Sequence, residues 1–260
     1  MAEVLVDGSG REEVDCRQIR RDAAILLLMG QSNAANSGDR ESRYKAIHDV
    51  INFNWFDGKC YRAEDPLLGT DGDGGTIWTR LGDELIENAG YKQVVIVDIA
   101  ASGTQIRTWA GENGPARRAI DAAEKLRRLG RRFTHVLWQQ GEADWATQPA
   151  VYIRLFKEMA TYLRANGVEA PIFVAQSTLC LGRRAPEIQR AQYDLPNLVE
   201  NVFPGANADA VDRFRDRQAD FCHFRASGLA QLARLWRQAI AAHEPITAGI
   251  PSETFAGSKQ

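Results

Sequence analysis

A serine hydroxyl attacks a carbonyl only when a base removes its proton. One serine in this chain stands where such chemistry is possible. Ser32 lies in Gly30-Gln31-Ser32-Asn33, directly after an apolar run. The chain has four histidines, His48, His135, His223 and His243, so the search for a base is short. His48 falls in an irregular stretch, and His135 opens an apolar run and reads as a core residue. His243 closes the last helical stripe, where an imidazolium suits the helix macrodipole. His223 differs, because Asp220 precedes it by three residues in Asp220-Phe221-Cys222-His223. A carboxylate there can hold the imidazole Nδ1–H and leave Nε2 to accept the proton of Ser32. Elimination and spacing therefore give Ser32 as nucleophile, His223 as base and Asp220 as its support, with acyl transfer as the chemistry.

These residues need a scaffold to bring them together. Four short apolar runs read as buried strands: Ala24 to Met29, Val94 to Ile99, His135 to Trp138 and Ile172 to Ala175. One-faced helical stripes lie between and after them, over Trp78 to Asn88, Ala116 to Leu129, Val151 to Ala165 and Ala226 to Ala242. The alternation predicts a three-layer α/β/α sandwich around a parallel sheet of about five strands, flavodoxin-like in winding. The fifth strand is expected near Asn207 to Val211. Residues 1–260 read as a single domain with its core over about 23–243 and a flexible tail over 244–260. In such sheets ligands bind at the carboxyl ends of the strands. The turns there are Gly30-Gln31-Ser32-Asn33, Ala101-Ser102-Gly103-Thr104 and Gln139-Gln140-Gly141-Glu142-Ala143-Asp144. Residues 36–75 form the longest stretch without periodicity and are expected to be a loop lining the cleft.

Composition narrows the alternatives. The 260 residues carry 34 acidic and 32 basic groups, and this near-neutral balance argues against nucleic acid as a partner. The longest apolar run, Ala23 to Met29, is far too short to span a bilayer. The start of the chain, MAEVLVDGSGREEVD, lacks the pattern of a signal peptide, which implies a cytoplasmic protein unless a leader has been removed. Cys16, Cys60, Cys180 and Cys222 form no CxxC pair, and buried free thiols are expected, with a Cys180–Cys222 pairing as the alternative for Cys222. Asp71-Gly72-Asp73-Gly74-Gly75 resembles the start of a calcium loop, but it lacks an acid at the fifth position and carries Gly82 at the twelfth. No metal and no organic cofactor is expected.

Glu142 and Asp144 could serve a glycosidase as paired acids; fixing the geometry of their own loop is the expectation preferred here. Arg117, Arg118, Arg127, Arg128, Arg131 and Arg132 read as a solvated helix face. Arg107 could hold a carboxylate or a sugar hydroxyl. Trp55, Trp109 and Trp145 fall near expected rim loops, where they could stack on sugar rings or simply pack.

The first turn resembles the opening block of the SGNH hydrolases, in the branch with GQSN that includes sialate O-acetylesterase-like and carbohydrate acetylesterases. Three further blocks are similar to that branch: Ser102-Gly103-Thr104-Gln105-Ile106-Arg107-Thr108-Trp109, Trp138-Gln139-Gln140-Gly141-Glu142-Ala143-Asp144, and Asp220 to His223 with Gly228 downstream. The resemblance spans about residues 24–240. It implies a serine esterase that removes acetyl groups from an O-acetylated saccharide through an acetyl-enzyme. It also implies an oxyanion hole built from the Ser32 and Gly103 backbone N–H groups and the Gln140 side chain. Gln31, Asn33, Arg107, Trp109 and Glu142 are the candidate substrate contacts. Two positions depart from the branch: Ser102 replaces a glycine, and Ala34 stands where methionine is common, a change expected to reshape the acyl pocket. The alternatives are an SGNH-type lipase or esterase on another acyl ester, and a catalytically inactive carbohydrate-binding domain.

Overall fold

The computed structural model describes residues 3–243; the expected tail over 244–260 lies outside the described residues. Strands β2 (Ala24–Gly30), β5 (Val94–Asp98), β6 (His135–Gln139), β7 (Ile172–Gln176) and β8 (Val202–Asn207) form the parallel centre of the sheet. Their spatial order is β5-β2-β6-β7-β8, which is the flavodoxin winding.

The sheet is wider than five strands. On the β5 side it continues through β3 (Val50–Phe53), β4 (Cys60–Arg62) and β1 (Glu13–Val14), giving eight strands among the described residues. Strand β3 is parallel to β5, β4 is antiparallel to β3, and β1 is antiparallel to β4. Two of these strands arise inside the stretch expected to be a loop. They are four and three residues long, too short for periodicity to register. The fifth central strand also begins earlier than expected, at Val202, and residues 208–210 form a 3-10 turn instead. Pro204 and Gly205 interrupt its apolar pattern and hide it.

Alternation along the strands divides the core into two layers. Ile25, Leu27 and Met29 of β2 face α2 (Ile106–Trp109), α3 (Ala116–Arg128), α4 (Pro149–Ala165) and α5 (Pro186–Leu198). Ala24, Leu26 and Leu28 face α1 (Ile77–Ala89) and α6 (Ala226–His243). Helix α1 starts at Thr76, whose side chain accepts from the Trp78 N–H, and stops at Gly90 in the left-handed region. Trp78 of α1 and Trp236 of α6 pack at 5.5 Å between ring centroids.

The cysteines are disulfide-bonded, Cys16 to Cys60 and Cys180 to Cys222, which corrects the expectation of free thiols. The second bond is the alternative given for Cys222, while a sequence separation of 44 hides the first. The paired cysteines become neighbours only through the β1–β4 pairing and the approach of the loop after β7 to the turn before α6. The arginine face on α3 is also only partly solvated. Arg118 turns inward over the Trp55 ring, and Arg131, just beyond the helix, binds the Ile19 carbonyl. No helix among the described residues is long and apolar enough to cross a membrane.

Candidate active site

The winding of the sheet reverses at β2, whose neighbours β5 and β6 lead the chain to opposite edges. Gly30 ends β2 with φ 138°, and a Cβ there would lie 2.0 Å from the Gln139 carbonyl oxygen. Only glycine lets the chain leave the sheet so close to β6. The next residues, Ser32–Ala34, form a 3-10 turn at the crevice. Trp78 Nε1 holds this turn from α1 by donating to the Ala34 carbonyl, and Gln139 Nε2 holds it from β6 by donating to the Asn33 carbonyl at 3.1 Å. Trp236 Nε1 in turn fixes the Gln139 amide at 2.9 Å.

Asp220 and His223 meet directly. Nδ1 of His223 lies 2.6 Å from Asp220 Oδ2. The other carboxylate oxygen accepts the backbone N–H groups of Cys222 at 2.9 Å and His223 at 3.1 Å. Partial burial pulls the Asp220 carboxyl upward, yet these hydrogen bonds and the imidazole together hold it below the ordinary aspartate value. Nε2 of His223 is buried and has no hydrogen-bond partner, so no bond to the Ser32 hydroxyl is formed here. Contacts of this kind are often long in the unliganded enzyme and tighten around substrate.

What ties the two turns together is Asn33. Its Nδ2 donates to the Cys222 carbonyl at 3.0 Å and to Glu142 Oε1 at 2.7 Å. The residue after the serine thus grips the residue before the histidine. Asn33 is buried and bonded through its Nδ2, and Gln31 is buried with its Oε1 accepting from Gly141, Ala143 and Gln140. Both therefore brace the site through these bonds. Ala34 is buried in the layer of α1 and α6, so it does not shape an acyl pocket.

The second turn carries Gly103 at φ 71°, with open space where a side chain would be. Neither the Ser32 N–H nor the Gly103 N–H has a hydrogen-bond partner among the described residues. Ser102, the departure from the branch pattern, donates from its hydroxyl to Asp71 Oδ1 at 2.7 Å, and its N–H also points to that carboxylate. Asp71 is buried, and the 71–75 loop is laced to residues 36–39 by backbone hydrogen bonds. It is an anchored support for the second turn, where a flexible loop was expected. Beside it lies a cavity of about 770 Å³, lined by residues 36–41, Gly72, Asp73, Gln218, Ala219 and Arg225. Its lining flanks Ser32 and Asp220 along the chain without including either.

Gln140 lies between the first two turns. Its Nε2 donates toward Gln31 Oε1, the Thr104 carbonyl and Asp144 Oδ2, and the residue has no exposed surface. Two N–H groups shared among three acceptors leave none aimed at a substrate oxygen. Gln140 therefore braces the hole expected of it instead of lining it. Trp109 is likewise fully buried, edge-on to Trp138, with Nε1 on Thr104 Oγ1 at 2.9 Å. Trp145, by contrast, is 69% exposed on the turn after Asp144. Arg107 is exposed and lines a cavity of about 450 Å³ with Asn113 and Arg118, so it remains a candidate substrate contact.

Glu142 and Asp144 are both enclosed. Asp144 accepts from Thr147 Oγ1 and the Ile106 N–H, and Glu142 Oε1 accepts from Asn33 and Ser177, which corrects the expected substrate contact at Glu142. Burial raises the Glu142 carboxyl from 4.5 to about 7, against the lowering pull of those donors, and Oε2 has no partner. A carboxyl whose pKa is raised by folding stabilises the fold while protonated and loses that contribution as pH climbs through the folded value. Glu142→Gln keeps the acceptor for Asn33 and Ser177 but cannot ionise. The variant should melt close to wild type at about pH 5 and above it at about pH 8, with a stability gap on the order of 3 kcal/mol at most. A gap that does not change with pH would show that Glu142 does not titrate in this range. Among the described residues, no group of three or more His, Cys, Asp or Glu side chains is placed to hold a metal ion.

Comparison with known proteins agrees with this geometry. The family described as carbohydrate esterase, sialic acid-specific acetylesterase, matches residues 22–242. The chain belongs to this family of carbohydrate esterases. No curated protein sequence matches it. Among solved structures, a protein of Arabidopsis thaliana is similar at TM-score 0.70 and 20% identity, over 85% of this chain and 99% of the other. A carbohydrate acetylesterase of Xanthomonas citri aligns at TM-score 0.51 and 15% identity, over 84% of the esterase and 55% of its own chain. A lipase/acylhydrolase of Enterococcus faecalis aligns at TM-score 0.52 and 14% identity, over 85% and 96%. These likenesses show that the esterase shares its fold with these structures.

Proposed function

We propose that the esterase removes acetyl groups from an O-acetylated saccharide, with Ser32, His223 and Asp220 as its catalytic residues. The observation that carries this reading is the 2.6 Å contact between Asp220 and Nδ1 of His223, on a turn that Asn33 ties to the Ser32 turn. The bound Nδ1–H leaves Nε2 as the basic nitrogen.

Ser32 Oγ attacks the acetyl carbonyl carbon while its proton passes to His223 Nε2. The carbonyl π electrons move onto oxygen, and the resulting oxyanion is met by the Ser32 and Gly103 N–H groups, both without internal partners. When the intermediate collapses, the sugar oxygen leaves with the proton from His223, and an acetyl ester remains on Ser32. Water then gives a proton to His223 and attacks the acyl carbon. Acetate departs, and the proton returns to Ser32. The acetyl and saccharide preferences rest on the family, and Arg107 and Trp145 are the exposed side chains near the turns that a sugar could meet.

The test is acetate release from a panel of acetylated saccharides, xylan-derived and sialylated, alongside p-nitrophenyl esters of increasing acyl length. The reading requires acetate to be the preferred acyl group and a member of the saccharide panel to be turned over. A preference for long acyl chains, with the panel untouched, would replace it with a lipase.

A further inference from the structure

Arg217 is a fully buried arginine in a place that requires explanation. It lies between Asp216 and Gln218, ahead of the Asp220 turn, with 1% of its surface exposed. Its guanidinium makes no ion pair among the described residues. It donates instead to backbone carbonyls: Nε to Val211 at 2.7 Å, Nη2 to Ala208 at 2.8 Å and Nη1 to Cys222 at 2.6 Å, with a longer contact from Nη1 to Leu179 at 3.4 Å. The Phe224 ring lies 4.0 Å from the guanidinium carbon. Burying a charge is costly, and burial draws the Arg217 pKa below its ordinary value against the opposing pull of the Glu142 and Asp209 carboxylates.

The Cys222 carbonyl shows what the charge does. It receives both Arg217 Nη1 and Asn33 Nδ2. This one oxygen is the junction between a fixed buried cation, the nucleophile turn and the base, because the next residue is His223. A shift of that peptide moves the imidazole directly. The same peptide carries the effect further: its N–H, that of His223, donates to Asp220 Oδ1 at 3.1 Å. A cation on the carbonyl polarises the peptide and strengthens the N–H at its other end. The chain runs from Arg217 through the Cys222–His223 peptide to Asp220, and from Asp220 Oδ2 back to Nδ1 of His223.

We propose that Arg217 is a positioning residue for ester hydrolysis, setting the place of His223 relative to Ser32 through the shared Cys222 carbonyl and firming the grip of Asp220 on the imidazole. The inference rests on the triad reading above. It assigns the basis of catalytic alignment to a residue outside the four motif blocks.

The experiment compares wild type with Arg217→Met and Arg217→Lys. Three readouts are taken: kcat and KM on p-nitrophenyl acetate, the rate at which a phosphonate ester labels Ser32, and the low-field proton NMR signal of the His223 Nδ1–H. For Arg217→Met, kcat and the labelling rate should fall together by about 10–100-fold, the cost of a misplacement on the order of 1 Å, with KM nearly unchanged. The Nδ1–H signal should move upfield or broaden. Lysine keeps a charge but cannot fork to separate carbonyls, so its recovery should be partial. Wild-type kcat in folded Arg217→Met overturns the proposal, as does a loss of kcat with the Nδ1–H signal unmoved. If the methionine variant does not fold, Arg217→Lys decides on the same readouts. Absence of acetyl-ester hydrolysis by wild type would overturn the function instead, while the NMR signal would still report on Arg217.

Discussion

Ser32→Ala should lower acetyl-ester turnover by about 10⁴–10⁶-fold without loosening the fold. Both halves of this expectation follow from the geometry. The Ser32 hydroxyl makes no hydrogen bond to the protein, so removing it orphans no buried partner. Gly30, Trp78, Gln139 and Asn33 hold its turn without it. The N–H pair of Ser32 and Gly103 is backbone and survives the substitution, so a residual rate above that of water should persist. Acetate release and thermal melting, measured on the same preparation, check both points. Turnover near wild type would take the nucleophile away from Ser32 and reopen the paired-acid reading, although Glu142 and Asp144 are too enclosed to favour it.

Asp220→Asn should cost on the order of 10⁴ in kcat through a different route. The asparagine oxygen can still accept the Cys222 and His223 N–H groups, so the turn keeps its shape. Its amide would then face Nδ1 as a donor, and the imidazole would answer by carrying its proton on Nε2. An Nε2–H cannot take the proton of Ser32. The substitution has a signature in stability as well. Folding lowers the Asp220 pKa, so the carboxylate contributes stability at neutral pH that is lost as pH falls through the folded value. The melting advantage of wild type over Asp220→Asn should thus be present at neutral pH and fade in acid. A rate close to wild type would leave a Ser32–His223 dyad and remove Asp220 from it.

The central strands β2, β5, β6 and β7 were legible because each is buried on both faces and reads as an unbroken apolar run. Strands β3 and β4 were not, since each is too short to show a period, and α5 was masked by Pro186 and Pro196 at its first turn and interior. The pairing of Asp220 with His223 was visible from residue type and spacing. The supporting residues were not. Asn33 and Arg217 act on the Cys222 carbonyl, and Asp71 on the Ser102 turn; a backbone acceptor has no signature in sequence. Gln31, Asn33, Trp109 and Glu142 stood out as candidate substrate contacts, and all four are buried in the frame of the crevice.

The bond between Cys180 and Cys222 turns the intervening segment into a covalent ring that contains α5, β8, Arg217 and Asp220, with His223 one residue past its closure. A backbone break at the exposed turn near Glu200 would open that ring without dividing the molecule. His223 would stay linked to the loop after β7 by sulfur instead of by peptide, and the nicked protein would still be one piece.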